Sequence, residues 1–178
     1  KKGVLFIVKN YSGDVMNFEM AAEMIPSEHK TILINDDAAV INSSYTEGRR
    51  GVAGTVIVEK VVGSLAEDGG DIESCHKLGE KVNRNCSSIG VALTSCTIPA
   101  AGKTTFDISE SDIEFGVGIH GEPGRKREKI RNADSIVEDM LEVIYKDFED
   151  KNLALDSSSE ALLLINGFNS TPLSELYL

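Results

Sequence analysis

Positive charge is in short supply in this 178-residue sequence: 18 Lys and Arg stand against 29 Asp and Glu, a formal net charge of −11. Nucleic-acid affinity comes largely from cationic side chains, so a phosphate-backbone partner is excluded and a small molecule or a protein is expected. Cysteine is scarce too. Cys75, Cys86 and Cys96 form no CxxC pair, which reads as the reduced thiols of a cytoplasmic protein rather than a disulfide framework. His76 beside Cys75 lacks the paired spacing of a zinc site, so no metal site is expected. No apolar run approaches the ~20 residues a bilayer crossing requires, and no signal-peptide pattern or internal repeat is present.

What is there is ordinary for a folded chain: 41% hydrophobic and 26% charged residues. At roughly 100 to 200 residues per domain, the length accommodates one domain or portions of two. A compact chain of this mass buries roughly 70% of its unfolded surface, enough for a core without staples. The ends read as cut. Lys1 and Lys2, with no initiator Met, lead straight into GVLFIV, a buried-strand pattern that needs neighbours on both sides. Thr171 as N-cap and Pro172 at the first helical position open a helix that has barely begun at Leu178. The expectation is a piece of a longer chain; the alternative is a small domain with frayed ends.

Short apolar runs bounded by turn residues predict strands at Gly3–Lys9, Lys30–Asn35, Ser88–Ser95, Ile113–Gly118 and Ala161–Asn166. Helical patterns follow Asp14, Gly51 and Asp71, and another runs from Ala133 to Asp147. Alternation of this kind predicts an α/β fold of layered sheet and helix, with a largely parallel sheet at its start and ligands beyond the carboxyl ends of strands. A boundary is expected within residues 98–112, dividing the chain into residues 1–100 and residues 101–178.

The loops after strands hold the chemistry. In KNYSGD, Lys9–Asp14, Gly13 permits close backbone approach, Asp14 sits at a helix start, and Lys9 ends a buried strand where its ammonium group needs a partner. The plain alternative is a cap and a turn. In EFGVGIHGEPG, residues 114–124, Gly116, Gly118 and Gly121 match GxGxxG, but Pro123 and Gly124 follow where a helix would have to open, so the dinucleotide reading is rejected. His120 remains, an imidazole with room for a substrate, able to act as base or as nucleophile toward a carbonyl carbon; the alternative is a surface histidine. Arg49 and Arg50, at a helix start, suit a phosphate or an acidic partner, or simply solubilise. Asp36 and Asp37 read as a solvated turn. The run Arg125, Lys126, Arg127, Lys129 and Arg131 reads as a charged loop or a docking edge.

Five segments in order, KNYSGDVMNFE (9–19), SYTEGRRGVAGT (44–55), CTIPAAGK (96–103), EFGVGIHGEPG (114–124) and NSTPLSELY (169–177), resemble the dihydroxyacetone kinase family. The likeness is to its dihydroxyacetone-binding K subunit, or the corresponding domain of single-chain ATP-dependent kinases. It implies the central portion of a two-domain K-subunit-like fold, and a phosphotransferase of glycerol metabolism. It further implies that His120 forms a covalent hemiaminal with the substrate carbonyl, that Asp14 contacts a substrate hydroxyl and accepts its proton, and that Lys9 hydrogen-bonds the substrate. Addition to a carbonyl selects dihydroxyacetone or glyceraldehyde over glycerol. The donor, ATP or a phosphoprotein of the phosphotransferase system, acts through a nucleotide-binding partner subunit or domain. No Walker loop or aspartate cluster appears here, so no cofactor is expected in this chain, and ADP or ATP with magnesium is expected on that partner. A homodimer is also implied. Two departures stand out: the family's Gly, Ser, Gly, His-type loop with a second histidine has no counterpart, and MIPSEHKTILIN is a few residues short. A non-catalytic relative that binds dihydroxyacetone and serves a transcription regulator is the alternative.

Overall fold

The computed structural model describes residues 3–39, 48–153, 155–168 and 171–178. Lys1 and Lys2, residues 44–47 of the second resemblance segment and residues 169 and 170 of the fifth lie outside the described residues.

The N-terminal region is a βαβ unit. Strand β1 (Val4–Lys9) leads into helix α1 (Ser12–Glu23), which returns the chain to strand β2 (His29–Ile34). The two strands pair in parallel, Val4 opposite His29 through Lys9 opposite Ile34. Parallel neighbours need such a crossover, and here it leaves Asn10 and Tyr11 as a short turn at the carboxyl end of β1, followed at once by the first turn of α1. Helices α2 (Gly54–Glu67) and α3 (Ile72–Arg84) cover the sheet. Their apolar stripes meet β2 in a core of Ile32, Ile34, Val58, Val62 and Cys75, with Leu5, Ile7, Leu65 and Val82 around it. Asp71 caps α3 by accepting a hydrogen bond from the Ser74 amide at 2.7 Å.

The parallel sheet expected at the start of the chain comprises β1 and β2, and beyond α3 the strands form two separate antiparallel sheets. Of the run predicted at Ser88–Ser95, only β3 (Val91–Ala92) is a strand, while Ser88 makes an isolated parallel bridge to Asp37. A hairpin, β4 (Thr97–Ile98) and β5 (Lys103–Thr104), encloses the Pro99–Gly102 turn, so the expected division at 100/101 falls at its tip. Strand β6 (Asp112–Phe115) pairs with β3 on one side and β7 (Lys126–Lys129) on the other.

Helix α4 (Ala133–Asp150) follows, capped by Asn132. The predicted strand at Ala161–Asn166 has no ladder partner among the described residues; its side chains are exposed, and a lone apolar run cannot satisfy its backbone as a strand. The last helix, α5, comprises only Leu173–Leu176, with Pro172 rather than Thr171 as its N-cap.

Candidate functional site

The turn after β1 and the loop between β6 and β7 face each other across a cleft of about 400 Å³ lined by Tyr11, Ser12, Gly13, Asp14, Thr105, His120, Gly121 and Glu122. That volume lies in the range of small-molecule sites. Asp14 and His120, 106 residues apart in sequence numbering, thus share one cavity. Lys9 does not line it.

Helix α1 begins at Ser12, so Asp14 stands in its first turn and is not its cap. A carboxylate there is favoured by the helix dipole, and its exposed side chain is free of capping duty. Tyr11, the residue before the helix, is only 6% exposed and sets its ring edge-on to His120, centroids 4.6 Å apart. Its hydroxyl is buried without a hydrogen-bond partner among the described residues. Burial pushes the Tyr11 phenol far above its ordinary value, and the Glu122 carboxylate pushes it further, against the Arg50 guanidinium.

His120 is held by its own loop. Its Nδ1 lies 2.8 Å from Glu122 Oε1, and its backbone amide donates to Glu122 Oε2 at 3.0 Å. Burial raises the Glu122 carboxyl, but the His120 ring bond and the backbone donors outweigh it and hold the group below its usual value. Glu122 is therefore an ionised acceptor. An ionised carboxylate can only accept, so Nδ1 must be the donor, and a neutral His120 ring keeps its lone pair on Nε2. The His120 side chain is 59% exposed toward the cleft while Glu122 is buried.

The loop is shaped by glycine where backbone and side chains crowd. Gly121 has φ +82°, and a Cβ on Gly118 would collide with the Glu122 carboxylate and with Arg50. At its neck the Arg125 amide donates to the Phe115 carbonyl at 2.7 Å, and the Gly124 amide to Glu114 Oε1 at 3.1 Å. The chain after Gly121 runs into β7 and not into a helix, so the strand–glycine–helix order of the dinucleotide fingerprint is not present here.

Burial corrects the readings of Asp36, Asp37 and Arg50. Asp36 and Asp37, expected in a solvated turn, are 0% and 2% exposed. Asp36 accepts from the amides of Val52 (2.7 Å) and Gly54 (2.9 Å), capping α2 from a distance. Arg50, read as solubilising or phosphate-binding, is fully buried and paired with Asp37. Arg49 pairs with Asp147 of α4 and donates to the Asp36 carbonyl at 2.8 Å. The basic run is β7 with its flanks: Arg127 pairs with Glu114, Lys129 with Asp112, and Arg131 with Glu128 and Asp139. With Lys126 on Glu128, four charges of the run are thus answered within the fold.

Tyr11 and Glu122 were missed in sequence. Glu122 carried a signal, a carboxylate two residues from His120 in a glycine-dense loop; Tyr11 had only its place beside Asp14. Among the described residues no group of three or more His, Cys, Asp or Glu side chains could hold a metal ion. The carboxylates of the cleft, Asp14 and Glu122, do not fit the polyphosphate of a nucleotide. No helix among the described residues is long and apolar enough to cross a membrane.

The Dak1 domain model matches residues 1–178. Identity is 47% over 178 residues to the dihydroxyacetone-binding subunit DhaK of a PTS-dependent dihydroxyacetone kinase from Listeria innocua, covering 98% of this chain and 53% of that one. It is 41% over 198 residues to the dihydroxyacetone-binding subunit DhaK of the PEP-dependent dihydroxyacetone kinase from Escherichia coli, covering 99% and 56%. The chain spans about half the length of these relatives. Of solved structures, the dihydroxyacetone kinase operon co-activator DhaQ is similar with a TM-score of 0.76 and 30% identity, covering 85% of this chain and 47% of that one. The dihydroxyacetone kinase of C. freundii in complex with AMP-PNP and Mg2+ is similar with a TM-score of 0.72 and 32% identity, covering 82% and 27%. With one domain model running the whole length of a mixed helix and sheet fold that these structures share, the chain belongs to the Dak1 domain family.

Proposed function

We propose that this chain is the dihydroxyacetone-binding portion of a dihydroxyacetone kinase, holding its substrate as a hemiaminal on His120 and presenting a hydroxyl for phosphorylation. The observation that carries the reading is the Glu122–His120 hydrogen bond, which leaves Nε2 as the free nitrogen in a cleft shared with Asp14. Nε2 adds its lone pair to the carbonyl carbon; a C–N bond forms, the carbonyl π bond breaks and its oxygen ends as a hydroxyl. The proton gained there is matched by loss of the Nδ1 proton toward Glu122, so the ring returns to neutrality. Asp14 then takes the proton of a terminal substrate hydroxyl as that oxygen bonds to phosphorus. Lys9 is kept as a substrate contact on the family resemblance alone, because its side chain lies off the cleft. The site draws Asp14 from the N-terminal segment, residues 1–100, and His120 from the C-terminal segment, residues 101–178.

Phosphorus must come from elsewhere: a partner subunit or domain with ADP or ATP and magnesium, charged by ATP or by a phosphoprotein. A homodimer in the cytoplasm, where the three free cysteines stay reduced, completes the proposal. The co-activator DhaQ, similar in fold, favours a second reading in which the same ligand is bound without turnover.

Carbon NMR of [2-13C]dihydroxyacetone tests the first step. The carbonyl resonance is expected to move from the trigonal to the tetrahedral range on binding, and His120→Ala to abolish the move. An unshifted resonance, or a shift that survives His120→Ala, overturns the assignment. Turnover with a partner and phosphoryl donor then separates kinase from co-activator, and Asp14→Asn should lower it roughly 100- to 10,000-fold.

A further inference from the structure

We propose that the buried Asp37–Arg50 ion pair is the positioning device of the His120 loop: it clamps the loop at Gly116 and Pro123 and so keeps the Glu122 carboxylate on His120 Nδ1. The inference rests on the proposed role of His120 and deepens it.

Arg50 is fully buried, where an unpaired guanidinium would be very costly, and its donors are spent on the loop. Nε donates to Asp37 Oδ2 at 2.6 Å, and one terminal nitrogen donates to the Gly116 carbonyl at 2.6 Å. The other reaches the Pro123 carbonyl at 3.5 Å. Gly116 and Pro123 flank the segment that carries His120 and Glu122, so a single planar group spans both of its ends. The bare Cα of Gly118 is bracketed by Arg50 and Glu122, since a Cβ there would strike both. Asp37 is fixed in turn: its Oδ1 accepts from the Ala39 amide at 2.8 Å, and its own amide donates to the Arg50 carbonyl at 3.0 Å. A lysine at position 50 would offer a point charge in place of a fork and could not serve Asp37 and two carbonyls together. With the loop unclamped, Glu122 leaves Nδ1 and both ring tautomers open to His120.

The tautomer is the readout, because a purely structural role would leave it alone in any variant that folds. The chain has three histidines, so long-range 1H–15N correlations of the ring nitrogens can be assigned by comparison with His120→Ala. In the ligand-free protein the wild type is expected to carry its His120 proton on Nδ1. Arg50→Lys and Glu122→Gln are each expected to give a mixture, and Arg50→Lys to cut the yield of tetrahedral adduct from [2-13C]dihydroxyacetone at least tenfold. Asp37→Asn keeps the shape of its side chain and is expected to shift the tautomer in the same direction; it decides the matter should Arg50→Lys not fold. A folded Arg50→Lys, or in its place a folded Asp37→Asn, with the wild-type tautomer overturns the proposal. A wild type that holds the Nδ1 proton yet takes up no dihydroxyacetone overturns the substrate assignment instead, and the tautomers of the variants still judge the clamp.

Discussion

Behind β1 and β2 the interior is hydrocarbon, Ile32, Ile34, Val58, Val62 and Cys75 packed together, whereas behind the His120 loop buried Ile113 and Phe115 are joined by charged groups, with Asp36, Asp37, Arg50, Glu114 and Glu122 all buried. Hydrocarbon packing is non-directional and tolerates repacking, so it serves to hold helices on a sheet. Buried charges work only in fixed geometry, with each donor aimed at one acceptor. That is the material needed where a single imidazole nitrogen must stay free. The two interiors should therefore respond differently to damage.

Ile32→Ala should show the largest loss of stability, about 2–5 kcal/mol, because it empties a fully buried site between β2, α2 and α3. Chemical denaturation measures the loss, and the ring tautomer of His120 in the folded fraction should not change. A changed tautomer would mean the two interiors are not separable. Asp36→Ala comes next: the Val52 and Gly54 amides lose their acceptor, at about 1–3 kcal/mol for the Gly54 amide, which is left buried and unpaired, and little for the part-buried Val52 amide. Local hydrogen exchange should place the damage at the start of α2.

Acid sharpens the contrast. The folded Glu122 carboxyl lies below its ordinary value, so its contribution to stability is present above the unfolded value and is lost as pH falls through the folded one. Asp147, pushed up by burial but pulled further down by Arg49 and Lys151, behaves alike. Glu122→Gln should flatten some of the acid limb in pH-dependent denaturation, whereas Ile32→Ala should lower the whole curve without altering its shape. Lys129→Ala should do least. Its pair with Asp112 is solvent-facing, and no measurable change in melting temperature is expected.

Strands β1 and β2 and the helices around them were legible because an apolar run and a 3.6-residue stripe state their own period. The same rule overreached at Ala161–Asn166, where an apolar run has no ladder partner among the described residues. It fell short at β7, whose Lys126, Arg127, Glu128 and Lys129 show no apolar alternation; the backbone ladder with β6 makes that strand, and its charges pair across the ladder. Asp14 and His120 could be singled out from loops after strands and from the resemblance. Their sharing of one cleft could not.

By itself the sequence determined the βαβ unit, the glycine-dense loop, the candidate pair Asp14 and His120, and the family, since each is written in local pattern or in order of motifs. Tertiary structure alone decided that Asp36, Asp37 and Arg50 are inside, that Glu122 is the partner of His120, and that Tyr11 backs its ring. The reason is physical: the meaning of a charged residue depends on what faces it after folding. For Arg50, those groups are Asp37, 13 residues away, and the Gly116 carbonyl, 66 residues away.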